Sequence, residues 1–425
     1  MTNIHEILYI CFILISLNEK SINSTYKKEE GYNLQKADKE TLKRHNKRLL
    51  LYTLRRGDFS RTELAEATGL SNSTISVLIS EMVESNIVFE KSLANSSGGR
   101  RQVIMSINPE AAYTLLLKIA PDQIEVAIVN LGLKLNSSKA FNLARNDQEH
   151  VTCTVLHALE WIKQGKSDLI DRIIGIGVSV AGLVDHSNDT VLYSAHLNLK
   201  NFDIKSVINS IFSRNVYVFK DTDTIAMGED IVHKFNDCES YLYIWVGSGL
   251  GLSFVNKGEV LQLNRSGLEL GHVRLESDGP RCTCGRVGCV EAFVSEAAAI
   301  REIEYRIKNS VKTLNYNVNG MKYLDIVKRS NDGDTVCREV LEYQAGYLGK
   351  AVALAINIFS PNTVIIGGPV SNIEWDFASR VQKSIRDNVL GIFSETKIQF
   401  SATTEEAAFI GMASKILDRE FFIID

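Results

Sequence analysis

Gly267-Leu-Glu269-Leu-Gly-His272 followed by Cys282-Thr-Cys284-Gly-Arg-Val-Gly-Cys289-Val-Glu291 is the densest concentration of chemistry in the chain. One imidazole and three thiols fall within eighteen residues, a complete Cys3His set for tetrahedral coordination and the closed arrangement of structural zinc. The alternative is a group of free buried cysteines beside an unrelated histidine. The density of donors favours the metal, with His272, Cys282, Cys284 and Cys289 as its ligands. Gly285 and Gly288 let the backbone fold tightly around it. Four protein donors leave no open position, so the zinc is expected to be structural and not catalytic.

The other cysteines, Cys11, Cys153, Cys238 and Cys337, are scattered, and an odd total of seven with one tight cluster reads as a reduced compartment. A cytoplasmic protein is expected. At 425 residues the chain is long enough for two or three domains, and 45% hydrophobic with 23% charged residues matches a soluble globular protein with real cores. The net charge of −4 is unevenly spread. Residues 41–101 carry ten Lys/Arg against six acids, so this segment is +4 and the remainder −8. Such asymmetry fits a DNA-binding head on an acidic body, although many solvated surfaces are locally basic.

Ile7 to Leu17 is an apolar run of eleven residues, too short to cross a bilayer, which takes roughly 20. No Lys or Arg precedes it and no convincing cleavage site follows, so residues 1–38 read as an extension or a mis-called start, with no membrane partner.

Residues 39–108 read as a winged helix-turn-helix. Leu42, Leu49, Leu50 and Leu54 recur at helical spacing before Gly57. Ser60-Arg-Thr-Glu63 is a capping box that starts a second helix, Gly69 makes the turn, and Ser71 caps a third helix ending near Ser85. Ala65, Gly69, Ile75 and Leu78 supply the small residue, turn and apolar anchors of two crossing helices. The remaining face of the third helix shows Asn72, Ser73, Thr74, Ser76 and Val77, suited together with Ser71 to phosphate and base-edge contacts. Arg61 would sit near a phosphate. Two strands, Ile87–Lys91 and Gln102–Ile107, flank a loop whose Arg100 and Arg101 either enter a minor groove or are simply solvated.

Beyond Ala112 strands and helices alternate. Tyr113–Ile119, Ile124–Asn130 and Lys134–Leu143 suggest a meander; Ile173–Val180, Val216–Phe219, Tyr241–Val246 and Val364–Ile366 have buried-strand character. Helices are expected near 149–164, 222–234, 291–308, 335–358 and 405–418. The class is α/β, in two lobes, 109–235 and 236–425, with the last helix returning to the first lobe. Glu269 and Glu291, on either side of the metal ligands, either accept hydrogen bonds from sugar hydroxyls or are solvated acids; spacing does not choose.

The stretch quoted first resembles the signature of the ROK family (repressors, open reading frames and sugar kinases). Val246-Gly-Ser-Gly-Leu-Gly251 resembles its second phosphate-type glycine loop, and Pro361-Asn-Thr-Val-Ile-Ile-Gly-Gly-Pro-Val-Ser371 its adenosine-region strand and turn. Asn46, Ser60-Arg61, Thr68-Gly-Leu-Ser71 and Gly98-Gly-Arg-Arg101 resemble the head of the repressor branch, xylose-type repressors in particular. The resemblance runs from about residue 40 to the end. It implies a two-lobed actin-like, ribonuclease-H-like sugar-kinase fold with sugar in the cleft, bound by Asp221, Glu269, His272 and Glu291. Asp221, in Lys220-Asp-Thr-Asp-Thr-Ile-Ala-Met-Gly-Glu229, is the counterpart of the kinases' catalytic base.

Two departures bear on function. Family kinases open the body with Asp-x-Gly-x-Thr, where this chain has Lys118-Ile-Ala-Pro-Asp122, and Lys220 stands where Asn is usual. Without the phosphate loop much of the preorganisation for phosphoryl transfer is lost. The expectation is a non-enzymatic, sugar-responsive repressor of carbohydrate genes, a homodimer or tetramer on operator DNA. A sugar kinase retaining a head, or a regulator with a degraded sugar site, are the alternatives.

Overall fold

The computed structural model describes residues 39–92, 103–233, 240–261, 263, 267–309, 317–402 and 406–422. The expectations for residues 1–38, Arg100 and Arg101 lie outside them.

The head comprises α1 (Lys39–Leu54), β1 (Phe59–Ser60), α2 (Arg61–Thr68), α3 (Asn72–Glu84), β2 (Val88–Ser92) and β3 (Val103–Ile107). Local chemistry sets its boundaries. Ser60 Oγ accepts from Glu63 N at 3.3 Å while Glu63 Oε2 accepts from Ser60 N at 2.7 Å, so two orphan amides of α2 are satisfied reciprocally. Gly69 ends α2 in the left-handed region, and Ser71 Oγ accepts from Thr74 N to open α3. Leu50, Leu51, Leu54, Leu64, Ile75, Leu78 and Met82 are buried together. Leu42, on the same apolar repeat, is instead 52% exposed. The sheet order is β1-β3-β2, all antiparallel.

The first lobe contains β4 (Tyr113–Ala120), β5 (Gln123–Asn130), β6 (Leu135–Asn142), α4 (Gln148–Gly165), α5 (Ser167–Ile170) and β7 (Ile173–Val180). A small sheet follows, β8 (Leu183–Asp185), β9 (Thr190–Ser194) and β10 (Leu199–Phe202), then α6 (Ile204–Asn209), β11 (Val216–Lys220) and α7 (Asp221–His233). The second lobe holds β12 (Ser240–Val246), β13 (Leu250–Asn256), β14 (Glu259–Val260), α8 (Glu291–Val294), α9 (Glu296–Lys308), α10 (Tyr323–Asn331) and α11 (Thr335–Phe359). It is completed by β15 (Thr363–Gly367), α12 (Phe377–Asn388) and β16 (Lys397–Phe400), and the last helix, α13 (Ala407–Glu420), returns to the first lobe.

The main sheets are β6-β5-β4-β7-β11 and β14-β13-β12-β15-β16. In each, three antiparallel strands are followed by two parallel ones in the same order, so the second lobe repeats the topology of the first. This is the actin-like arrangement, α/β in class. The central strands are apolar on both faces because helices cover both, as the near-continuous burial of β7 and β15 shows. The helix expected over 291–308 is broken at Ser295, whose backbone is extended and whose hydroxyl accepts from Ala298 N to start α9 afresh. The β8–β10 sheet, unanticipated in the sequence, carries one wall of the cleft.

α13 packs along α7 and against β7, β4 and β5. The approach is close enough that a Cβ on Gly228 would collide with the Ala407 carbonyl, and one on Gly411 with the Thr224 carbonyl. Among the described residues no helix is long and apolar enough to cross a membrane.

Candidate functional site

A cavity of about 310 Å³ opens between the lobes. Asp221 enters it from the β11–α7 junction, Glu269 from the residue ahead of a single 3-10 turn (Leu270–His272), and Glu291 from the start of α8. His272 lines it as well, so Asp221 of the first lobe converges with Glu269, His272 and Glu291 of the second. Glu291 is 5% exposed, which removes the surface-acid reading for it; Glu269 lies at the cavity wall.

The metal quartet assembles at one end. Ligand atoms of His272, Cys282, Cys284 and Cys289 all lie within 4.8 Å of one another. A tetrahedral zinc with Zn–S of about 2.3 Å and Zn–N of about 2.0–2.1 Å requires S···S of about 3.8 Å and S···N of about 3.6 Å. Cys284 and Cys289 sulfurs are 3.8 Å apart and Cys282 Sγ is 3.6 Å from His272 Nδ1, so the donor set fits the ion. A sulfur separation of 3.8 Å also excludes a disulfide, which needs about 2.05 Å. Burial raises the Cys282 thiol to about 12; Cys284 is also opposed by burial, but hydrogen bonds from the Arg286 side chain and backbone bring it down to about 7. His272 belongs to both knot and cavity, and Glu269 and Glu291 sit two or three residues from a ligand. An ion held by this quartet would therefore also order the carboxylates.

The carboxylates have distinct surroundings. Asp221 Oδ1 accepts from Thr222 N at 2.7 Å and Thr222 Oγ1 at 3.2 Å, and burial pushes its pKa up. Glu269 Oε1 accepts from Lys220 Nζ at 2.9 Å. Glu291 Oε1 accepts from Thr283 Oγ1 at 2.9 Å, while Oε2 accepts from Leu250 N at 3.3 Å and faces His196 Nε2 at 3.7 Å. Burial opposes ionisation of Glu291, yet His196 holds it below the usual range, and the Glu291 carboxylate raises His196 in turn.

His196 is the residue sequence reading missed. Ser194 holds its turn between β9 and β10 by donating to Ala181 O at 2.6 Å and accepting from Leu197 N at 3.3 Å. No local motif marks it; only the small sheet brings it to Glu291. Tyr193 and Trp245 also line the cavity without a sequence signal, and Arg286 joins them from within the cysteine motif.

In the head, Asn72, Ser73, Ser76 and Val77 are exposed on one face of α3, with Val77 at 58%. The Ser71 hydroxyl lies 2.8 Å from those of both Ser73 and Thr74, gathering three polar groups at the helix start. Arg61 does not stand free: Nη2 donates to Glu90 Oε1 on β2 at 2.8 Å. The head is seated on the body by Arg55, which pairs with Asp418, donates to Ser414 Oγ at 2.7 Å and stacks 5.1 Å from the Phe422 ring centroid.

Comparison with known proteins adds four findings. A model of the ROK family matches residues 116–419. The chain is 27% identical over 384 residues to the xylose repressor of Caldicellulosiruptor bescii, covering 88% of this chain and 96% of that one. Its fold is similar to that of a ROK family transcriptional regulator, a homologue of the Escherichia coli MLC protein, with TM-score 0.75, 25% identity, and 90% and 97% of the two chains covered. The two-lobed body alone also resembles a ROK family glucokinase from Streptomyces griseus, solved with glucose and AMPPNP, at TM-score 0.62 and 22% identity over 72% of this chain and 99% of that one.

Proposed function

The chain belongs to the ROK family, and we propose that it is a sugar-responsive DNA-binding transcriptional regulator, a repressor of carbohydrate genes. Residues 39–108 are the DNA-binding head, and 109–235 and 236–425 are the lobes that close on sugar. Asn72, Ser73, Thr74 and Ser76, with Ser71 and Arg61, face operator DNA; Arg100 and Arg101 belong to the wing. Asp221, Glu269, His272 and Glu291 receive the sugar, and His272, Cys282, Cys284 and Cys289 hold a structural zinc. The ion, when bound, supplies rigidity alone.

The observation that carries this reading is one continuous path. α7 begins at Asp221 in the cavity and lies backbone-close to α13, and α13 carries Ser414 and Asp418, which hold Arg55 of the head. A sugar that moves Asp221 relative to Glu269 and Glu291 displaces α7, and α13 conveys this to the head. In a dimer on a palindromic operator that shift alters the spacing of two α3 helices and lowers DNA affinity. The coupling is reciprocal, so DNA lowers sugar affinity by the same factor. A cytoplasmic homodimer or tetramer is the working assembly.

Against kinase activity stands the β4–β5 hairpin, where Lys118, Ala120 and Asp122 replace the phosphate-binding turn. The test is fluorescence anisotropy of the purified protein on DNA from upstream of its own and neighbouring genes, with a panel of sugars. Tight binding released by one sugar supports the reading; binding indifferent to every sugar overturns the sugar response. No DNA binding, together with ATP turnover on a sugar, overturns the regulator reading altogether.

A further inference from the structure

Among the described residues of the head, Val77 is the large apolar side chain most open to solvent, at 58%. It lies on the face of α3 opposite the buried Ile75, Leu78, Ile79 and Met82, with Ser73 one turn before it and Ser80 one turn after. A valine in water gains nothing from burial and is a weaker helix former than alanine, so the stability of α3 does not call for it.

The rest of that face limits what it can recognise. α3 carries no Lys or Arg, so the bidentate pairing of a cation with guanine O6 and N7 is closed to this helix. Its exposed polar side chains, Asn72, Ser73, Ser76 and Ser80, are short and neutral. The hydroxyls of Ser71, Ser73 and Thr74 gather at the helix start, where outward amides suit a phosphate, and Val77 lies a turn further along. Small neighbours let a helix settle deep in the major groove, which a valine needs because its methyls reach little beyond Cβ. The edges of unmodified base pairs present one apolar group there, the C5-methyl of thymine.

We propose that Val77 is a specificity-determining residue that reads thymine in the operator by packing its methyls against the C5-methyl of the base. This inference rests on the DNA-binding reading above and names a base preference within that same site.

The test is fluorescence anisotropy of the full-length protein on DNA from upstream of its own and neighbouring genes, prepared once with thymine and once with uracil, which lacks only the C5-methyl. Burying one methyl is worth roughly fourfold in affinity, so over the two half-sites of a dimer the uracil duplex is bound roughly tenfold more weakly. Val77→Ala leaves the buried face of α3 untouched, weakens binding to thymine DNA and brings the thymine-over-uracil ratio down to about twofold or less. Val77→Thr, which keeps one methyl, retains part of the ratio. Comparing ratios between proteins separates the lost methyl contact from any change that uracil makes in the duplex itself. Equal binding of the two duplexes by the natural protein, or a ratio that Val77→Ala leaves unchanged, overturns the inference and leaves the DNA-binding regulator intact. Failure to bind either duplex overturns both.

Discussion

Two hairpins occupy equivalent places in the repeated lobes and have diverged in chemistry. In the second lobe β12 and β13 meet through Gly247-Ser-Gly249, and backbone approaches the cavity so closely that a Cβ on Gly249 would lie 2.7 Å from Glu291 Oε2 and 3.1 Å from His196 Nε2. In the first lobe β4 and β5 close through Pro121-Asp122, with Asp122 at φ 76°. That hairpin carries side-chain charge instead: Lys118 lies 3.8 Å from Glu125, and Asp122 is 2.8 Å from Lys322 at the start of α10, across the cleft. One hairpin retains bare backbone against the cavity. The other has a carboxylate at its turn and a neighbour that neutralises it, which suits holding the lobes together and not cradling phosphate.

The contrast can be broken from the second lobe first. Cys289→Ser removes one donor of the proposed zinc quartet, is expected to cost about 4 kcal/mol of stability, and lowers the melting temperature with loss of bound zinc measured on the same sample. Lobe-one hairpin variants leave zinc content unchanged. Zinc retained in full at an unchanged melting temperature would show that the quartet is not a metal site.

Asp223 anchors α7 to β13 of the glycine hairpin through a hydrogen bond from Ser253. Burial, opposed by Lys220 and Ser253, raises its pKa to about 6 from 3.8. Because the folded value lies above the unfolded one, the folded state is favoured by protonation. That contribution is whole below the unfolded pKa and is lost as pH rises through about 6. Asp223→Asn therefore flattens the fall in stability between acid and neutral pH by an amount on the order of 3 kcal/mol. Denaturant titrations at a series of pH values measure it, and parallel curves for the two proteins would contradict the assignment.

Gly249→Ala forces Glu291 or His196 aside and should weaken the effector by about tenfold to a hundredfold, the cost of overpacking by 1–3 kcal/mol. Ala120→Gly, in the other hairpin, should change effector affinity by less than about twofold. Equal effects would erase the distinction between the two turns. Smallest of all, Asp122→Asn breaks an ion pair with both partners more than half exposed, and its effect on stability should stay below about 1 kcal/mol and vanish in high salt.

What could be read along the chain follows the range of each interaction. Ser60 and Glu63 cap one another across a single turn, and four metal donors fit between His272 and Cys289, so both motifs declare themselves in a short window. The α3 face was equally legible, since Asn72, Ser73 and Ser76 follow helical spacing against buried Ile75, Leu78 and Ile79. Arg61 was placed at the right helix start, but its pairing with Glu90 depends on how β2 folds back.

By itself, then, the sequence determined the Cys3His donor quartet, the capped helices of the head, the α/β alternation and the family. Each rests on covalent spacing or on a periodicity that survives without long-range contacts. Only the tertiary structure decided the identity of strand order in the two lobes, the broken helix at Ser295 and the cavity pairs Lys220–Glu269 and His196–Glu291. It alone put Arg55 against Asp418 and Ser414, tying head to body. Those contacts join residues from separate elements, and a charged side chain carries no local mark of the partner that burial will force upon it.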